Sequence, residues 1–285
     1  MRLALVVHPT RPVTGALETL GRWAKEHEVE VVQIPTDGGT DRELAPKDEL
    51  ADGDLVVTLG GDGTVLAGLR AATTVEAPVL GVACGSLGAL TAVRADRLEE
   101  ALDRFHEGDW TEQPLPALVI RPGDADPTWA VNDFVVARHG AGQVVLSLSA
   151  GDEVYVRLSG DGLIVATPLG SSAYSMAAGG PVIAPDTPAI VCTPLAMHGG
   201  NAPPLVISAS TVAHVEIHPS FHGFDIEIDG RSSDLQALDY RVSLVEGKNT
   251  LVDLGGGVRM LSGLRERGII ADSPRVLARD KREGT

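Results

Sequence analysis

Along the first third of the chain, apolar residues follow two alternating rhythms. Residues 3–7 form an unbroken apolar run closed by His8-Pro9, and 29–34, 54–59 and 78–82 read as further strands. Between them, 16–27 places Leu17, Leu20 and Trp23 on one side at helical spacing. Residues 65–72 continue as a helix out of a glycine-rich turn, and 97–106 reads as a third helix. Buried strands separated by helices predict a parallel sheet with crossover helices.

After about Pro114 the rhythm shortens. Residues 117–121, 128–137, 143–149, 154–158, 163–166, 189–192, 205–208, 213–218, 224–228, 241–245 and 250–253 read as brief strands between Gly, Asp and Pro turns. Such spacing predicts an antiparallel assembly. One helix, 171–178, interrupts it, and 260–267 reads as an amphipathic helix. The charged end, 278–285, is expected to fray. No internal repeat or low-complexity linker is present. A chain of 285 residues, at roughly 100–200 residues per domain, divides into an α/β domain, 1–113, and a β-rich domain, 114–258.

Composition narrows the chemistry. Hydrophobic residues make up 44% and aromatics only 4%, so the core is built from Val, Leu, Ile and Ala. The net charge of −16 disfavours nucleic acid and anionic membrane as partners. It also repels phosphorylated ligands, so a site for one needs local donors: backbone N–H groups, a helix start, an arginine or a metal ion. Two cysteines, Cys84 and Cys192, make no disulfide framework and suit a reducing cytoplasm. The short apolar start reads as a strand rather than a signal segment, and no stretch approaches the ~20 apolar residues of a membrane span.

The strand at 54–59 runs straight into Gly60-Gly61-Asp62-Gly63-Thr64 and then a helix. In open α/β sheets ligands bind beyond the carboxyl ends of strands. Glycines allow a sharp turn with exposed N–H groups, the helix start holds phosphate oxygens, and Thr64 can cap the helix. The turn has neither the lysine of a P-loop nor the spacing of a dinucleotide fingerprint. Asp62 is the odd member, because a carboxylate weakens a phosphate cradle unless it has chemistry to do. It can accept a proton from an attacking hydroxyl or hold a metal ion that bridges phosphates. The alternative is a tight turn with a solvated aspartate.

The run 159–181 is dense in small and polar residues. Thr167-Pro168-Leu169-Gly170 forms a turn, Ser171 or Ser172 caps a short helix, Asp161 can face a ligand hydroxyl, and Tyr174 can stack on a ring. A structural β–α corner is the other reading. His214 and His218 share a strand face with Glu216, and His222 follows. Pro219 breaks that strand, so solvated or structural histidines are expected rather than a zinc site. Cys84 reads as a small core residue, and no serine-hydrolase elbow is present.

Several motifs together resemble the NAD kinase family from about Leu3 to Arg267. They are Gly60-Gly61-Asp62-Gly63-Thr64, Asn132-Asp133, Asp161-Gly162, Thr167-Pro168-Leu169-Gly170-Ser171-Ser172-Ala173-Tyr174-Ser175 and Ala178-Gly179-Gly180-Pro181. Thr193-Pro194 leading to His198 and Pro204-Leu205, Asp229-Gly230, and Leu261-Ser262-Gly263-Leu264-Arg265-Glu266 also fit. The resemblance implies an NAD kinase-like two-domain fold: an α/β N-terminal domain with a parallel sheet, completed by 259–285, a β-rich acceptor-binding domain, and the active site between them. It implies transfer of a phosphoryl group from ATP or polyphosphate to the 2′-hydroxyl of the adenosine ribose of NAD, with Mg²⁺. Asp62 would be the catalytic base, and Gly60, Gly61, Gly63 and Thr64 the phosphate turn. Asn132, Asp133, Asp161, Thr167, Ser172, Ala173, Tyr174 and His198 would contact the acceptor. No residue is assigned to a resident metal. A homodimer or homotetramer is implied by the same likeness.

The chain departs from the family pattern at Ala83 and Ala89, where Asn and Phe are usual, and at Asp133, Leu169 and Ser172, where Glu, Thr and Thr are usual. Ala202-Pro203-Pro204 replaces the usual Asn-Arg-Pro. Phosphate-transfer residues are kept while acceptor-binding residues drift. A relative acting on a nucleoside, polyol or lipid headgroup, and a non-catalytic nucleotide sensor, are the alternative functions.

Overall fold

The computed structural model describes residues 1–35, 42–218, 223–257 and 260–283. The first elements are β1 (Arg2–Val7), α1 (Thr14–Glu26), β2 (Glu30–Gln33), β3 (Asp54–Gly60), α2 (Asp62–Ala72), β4 (Pro78–Ala83), β5 (Val93–Arg94) and α3 (Leu98–His106). β1, β3 and β4 are buried along nearly their whole length and are built mainly from apolar residues, because both faces of this sheet are covered. Leu3, Leu5, Leu55, Val57 and Leu80 pack under α1 and α3 with Trp23 and Leu98. Ala4, Val6, Val56 and Val79 pack under α2 with Val65 and Leu69. The strands lie parallel in the order β2-β1-β3-β4. From β1 the chain leaves toward β2; from β3 it leaves the other way, toward β4. The boundary between β1 and β3 is therefore a topological switch point, where a crevice opens beyond the strands' carboxyl ends.

The remaining strands are β6 (Thr111–Pro122), β7 (Thr128–Ala130), β8 (Asp133–Arg138), β9 (Val144–Ala150), β10 (Glu153–Gly160) and β11 (Gly162–Ala166), followed by α4 (Tyr174–Ala177). Then come β12 (Ala189–Leu195), β13 (Leu205–Ser208), β14 (Ala213–His218), β15 (Phe224–Ile228), β16 (Arg231–Ser233) and β17 (Asp239–Asp253), and the helices α5 (Met260–Glu266) and α6 (Pro274–Glu283). Strands β13-β12-β11-β8-β15-β16 form one antiparallel sheet. It packs on the β9, β14, β6 and β17 part of the larger sheet, with Phe134, Leu146, Leu163, Val215 and Tyr240 buried between the layers.

Strand β17 joins the two halves. Its first part pairs with β14, its last part lies parallel to β4, and β6 accompanies it along its length. The large sheet is thus continuous from the parallel strands into the sandwich. The sequence predicts two strands here, 241–245 and 250–253. A single strand instead runs through 246–248, and these turn-like residues bulge out of the ladder as a register shift between Val245 and Asn249. Conversely, the strand expected over 128–137 breaks at Asn132. β7 pairs with β6 in the large sheet, and β8 belongs to the six-stranded one.

Three expectations at helix ends are corrected. Gly61, not Thr64, is the N-cap of α2, so the helix begins at Asp62. The helix expected over 171–178 is a 3₁₀ turn, Gly170–Ser172, followed by the four-residue α4, and neither serine caps it. Ser171 and Ser172 instead return their hydroxyls to the carbonyls of Pro168 and Leu169. The charged tail expected to fray is helical through Glu283. Helix α5 packs on the N-terminal half: Met260 and Leu264 are buried, and fully burying such a side chain contributes about 1.5–3 kcal/mol.

Candidate active site at the sheet switch point

The 60–64 turn follows β3 at the switch point. Thr64 and Val65 send their N–H groups back to the Gly61 carbonyl, which leaves the N–H groups of Asp62 and Gly63 at the open helix start. Thr64 is buried and supports the turn from beneath. The Asp62 carboxylate is held on three sides. Ala89 N–H donates to Oδ2 at 3.1 Å and Leu90 N–H donates to Oδ1 at 3.0 Å. Arg267 Nη1 lies 3.1 Å from Oδ2. Gly88 makes this approach possible, since a Cβ there would stand 2.0 Å from Asp62 Oδ1.

The segment after β1 supplies the other wall. His8 Nδ1 accepts the N–H groups of Thr10 and Arg11. Burial, then the charges of Arg11 and Arg42, hold its pKa below the ordinary histidine value, which favours the neutral acceptor. Arg11 then lies over the glycine turn. A methyl group on Gly61 would stand 3.1 Å from its Nη1, and one on Gly85 would stand 3.4 Å away. A strongly acidic protein thus presents a guanidinium beside open N–H groups, where phosphate oxygens bind best. Sequence reasoning missed Arg11 and Arg267. Arg11 could have been found from its position just past the first apolar strand. Arg267, 205 residues from Asp62 in sequence, gave no local signal.

A second group of predicted residues meets at one end of the six-stranded sheet. Asp133 begins β8 opposite Ala166, the last residue of β11. Thr167, fully buried, donates its hydroxyl to Val131 O at 2.8 Å and accepts Gly170 N–H at 3.0 Å. Its N–H bonds Asn132 O at 2.9 Å. Gly170 is required there, because a Cβ would stand 2.0 Å from Asn132 O. The 132–133 corner is fixed from the other side by Asp229, whose carboxylate accepts the N–H groups of Val131, Asn132 and Asp133. Asp229 and Gly230 both have positive φ, 51° and 71°, as a tight hairpin turn between β15 and β16 demands. Burial pushes the Asp133 carboxyl up to about 7, with the neighbouring Asp229 and Glu227 charges adding to it. Burial also raises Asp229, outweighing its three N–H donors. Ser172 and Ala173 follow in the 167–174 segment, and Tyr174 stands 46% exposed. Val131 and Leu169 share an apolar cluster with Val65 and Leu69 of α2, which makes this corner a neighbour of the glycine turn.

Two predicted residues lie elsewhere. Asp161 precedes β11 and pairs with Arg138 at 2.7 Å, at the opposite end of the strand from Thr167. At about 3.3 Å per residue, the two are separated by roughly 20 Å. His198 lies at that same far end, its N–H on Ser159 O and its Nδ1 3.1 Å from Gln143 Oε1. The structure therefore gathers Asn132, Asp133, Thr167, Ser172, Ala173 and Tyr174, and leaves Asp161 and His198 apart.

Histidines 214 and 218 each contact a neighbouring side chain, Asp239 and Ser147 respectively; His222 and Pro219 lie outside the described residues. Both cysteines are free thiols. Burial pushes Cys192 up to about 12 and raises Cys84 as well. Among the described residues, no helix is long and apolar enough to cross a membrane.

Comparison with known proteins places these features. Residues 4–110 match the family model of the ATP-NAD kinase N-terminal domain, and residues 132–252 match that of the ATP-NAD kinase C-terminal domain. The NAD kinase of Heliobacterium modesticaldum is 37% identical over 241 residues, covering 80% of this chain and 84% of that one. The NAD kinase of Desulforamulus reducens is 31% identical over 266 residues, 88% of each chain. Yeast NADH kinase, solved with NADH, superposes with a TM-score of 0.76 at 23% identity, covering 96% of this chain and 89% of that one. An NAD kinase from Archaeoglobus fulgidus, solved with ATP, gives 0.71 at 23% identity, over 95% and 100%.

Proposed function

This chain belongs to the NAD kinase family, and from that membership we propose that the switch-point crevice is where it transfers the terminal phosphoryl group of ATP to the 2′-hydroxyl of the adenosine ribose of NAD. The observation that carries the assignment is Asp62: a carboxylate held by two backbone N–H groups and an arginine, at the start of a helix beyond a parallel strand.

The donor phosphates would lie between the open N–H groups of Asp62 and Gly63 and the guanidinium of Arg11. Gly60, Gly61 and Thr64 shape that turn. Mg²⁺ would enter with ATP as part of the substrate. It takes most of its ligands from phosphates and water and needs no protein cage. In the transfer, the bond from the γ-phosphorus to its bridging oxygen breaks and a bond to the acceptor oxygen forms. Asp62 takes the hydroxyl proton late in the step. Such transfers depend on alignment and charge stabilisation.

The acceptor would rest on the 132–133 corner and the 172–174 segment. Asn132, Asp133, Ser172, Ala173 and Tyr174 would contact it, and Thr167 would hold the corner in shape. The division into 1–113 with 259–285 and 114–258 then separates donor-binding from acceptor-binding parts. A homo-oligomer in the cytoplasm completes this reading, and Asp161 and His198, away from the first group, are candidates to serve a neighbouring copy's acceptor.

The test is product formation with MgATP or polyphosphate against NAD, NADH and a panel of alcohols. NADP from NAD is expected. Phosphorylation of another alcohol with NAD untouched, or nucleotide binding without turnover, would overturn the assignment. Asp62→Asn is expected to lower kcat by about 10²–10⁴-fold with the fold intact; wild-type turnover in that variant would remove Asp62 from the role.

A further inference from the structure

The arginine on Asp62 comes from the far end of the chain. Arg267 directly follows α5, whose Met260, Gly263 and Leu264 are buried against the N-terminal half. Its Nη1 lies 3.1 Å from Asp62 Oδ2, and its Nε donates to Gly263 O at 3.0 Å, so the guanidinium is braced on the helix that delivers it. Gly268 ends that helix in the left-handed region, φ 69°. The N–H groups of Ile269 and Ile270 close back onto Leu264 O. The backbone at 267 is therefore fixed on both sides.

The seat of α5 is Ala89. A methyl group on Gly263 would stand 3.7 Å from Ala89 Cβ, and the Ala89 N–H itself donates to Asp62 Oδ2. One oxygen of Asp62 thus receives its two donors from two surfaces packed on each other.

From this arrangement we infer that Arg267 is a positioning residue for Asp62, and that the docking of α5 on Ala89 sets the orientation of the proton-accepting carboxylate. The inference rests on the reading of Asp62 as that acceptor. A carboxylate offers about four lone-pair positions. Ala89, Leu90 and Arg267 occupy three, leaving one for the acceptor hydroxyl. Without the arginine, Oδ2 keeps a single N–H donor and the carboxylate gains freedom to turn. A placement error of about 1 Å can cost on the order of 10²-fold in rate.

The test uses the full chain and steady-state kinetics with MgATP and NAD. Arg267→Met is expected to lower kcat by roughly 10–100-fold, with both KM values within about 3-fold of wild type, as for loss of an interaction used in the transition state. The melting temperature should hold, since the pair is partly exposed: 40% for Arg267 and 26% for Asp62. Arg267→Lys, which can still reach a single oxygen, should recover most of the lost kcat. Wild-type kcat in Arg267→Met overturns the inference. So does a loss equal in the Met and Lys variants with raised ATP KM, which would make Arg267 a substrate contact. Asp62→Asn, measured alongside, separates the two levels: if it retains turnover, the base assignment itself fails; if it is inactive while Arg267→Met is normal, only the positioning role fails.

Discussion

Asp133 is a carboxyl group the fold keeps from water. Burial and its acidic neighbours lift its pKa from the usual carboxylate range to about 7, so the folded state holds a proton that the unfolded chain has released near pH 4. Stability from this group is therefore greatest below about pH 4, falls as the pH rises toward 7, and is flat beyond. A shift of this size corresponds to roughly 4 kcal/mol at most. Asp133→Asn should raise the melting temperature at pH 8 and raise it much less at pH 5. Equal gains at both values would remove the titration from the argument. Arg11 gives a second test at this scale. If it grips donor phosphates, Arg11→Ala loses a charge-assisted contact and raises the ATP KM about 10–100-fold; an unchanged KM would move the phosphates elsewhere. Both residues show where sequence reasoning stops. The identity of Asp133 was readable from its place in a motif, but its burial depends on Asp229, 96 residues on. Arg11 lies outside every motif and matters because the chain order β2-β1-β3-β4 lays its loop over the glycine turn.

At the level of elements, legibility followed burial. Strands β1, β3 and β4 are buried on both faces and announce themselves as largely apolar runs. Where one residue serves a turn and a sheet at once, the pattern misleads. Asn132 sits inside an apolar run yet marks the passage from one sheet to the other, and residues 246–248 form a bulge inside a single long strand. The serines of 171–178 favour a capped helix by local chemistry, but Ser171 and Ser172 spend their hydroxyls on the preceding turn and Thr167 spends its own on Val131 O, which leaves a short irregular corner bearing Tyr174. The 88–91 loop matters for the same reason: its backbone, not its side chains, grips Asp62. Gly88→Ala would drive a methyl group into a carboxylate oxygen now 2.0 Å from that position, so either the loop or Asp62 must move. The expected result is a fall in kcat of about 10²-fold, with a smaller change in stability than a core clash of about 1–3 kcal/mol. Unimpaired turnover would show that the loop does not orient the base.

For the whole molecule, the continuous sheet through β17 ties the parallel strands to the sandwich, and the cluster shared by Val65, Leu69, Val131, Leu169 and Met260 packs the glycine turn's helix, the 132–133 corner and α5 together. One rigid wall therefore carries both reacting partners' candidate sites, which suits a transfer governed by alignment. The same sheet that unites these residues sets Asp161 apart: β11 places it roughly 20 Å from Thr167, and about as far along the neighbouring strand from Asp133. If the acceptor contacts Asp161 within one chain, it must lie extended along the sheet. If copies of the chain assemble, Asp161 can face the acceptor corner of a neighbour. The two arrangements give opposite results when inactive subunits are mixed. Chains carrying Asp62→Asn retain Asp161, and chains carrying Asp161→Asn retain Asp62. Under the shared-site arrangement, unfolding and refolding the two together yields assemblies in which an intact Asp62 faces an intact Asp161. Activity should then rise from the level of either variant alone to roughly a quarter of wild type for pairwise mixing. Activity that stays at the sum of the separate variants, in assemblies shown by mass to be mixed, would place Asp161 in its own chain's site or in none.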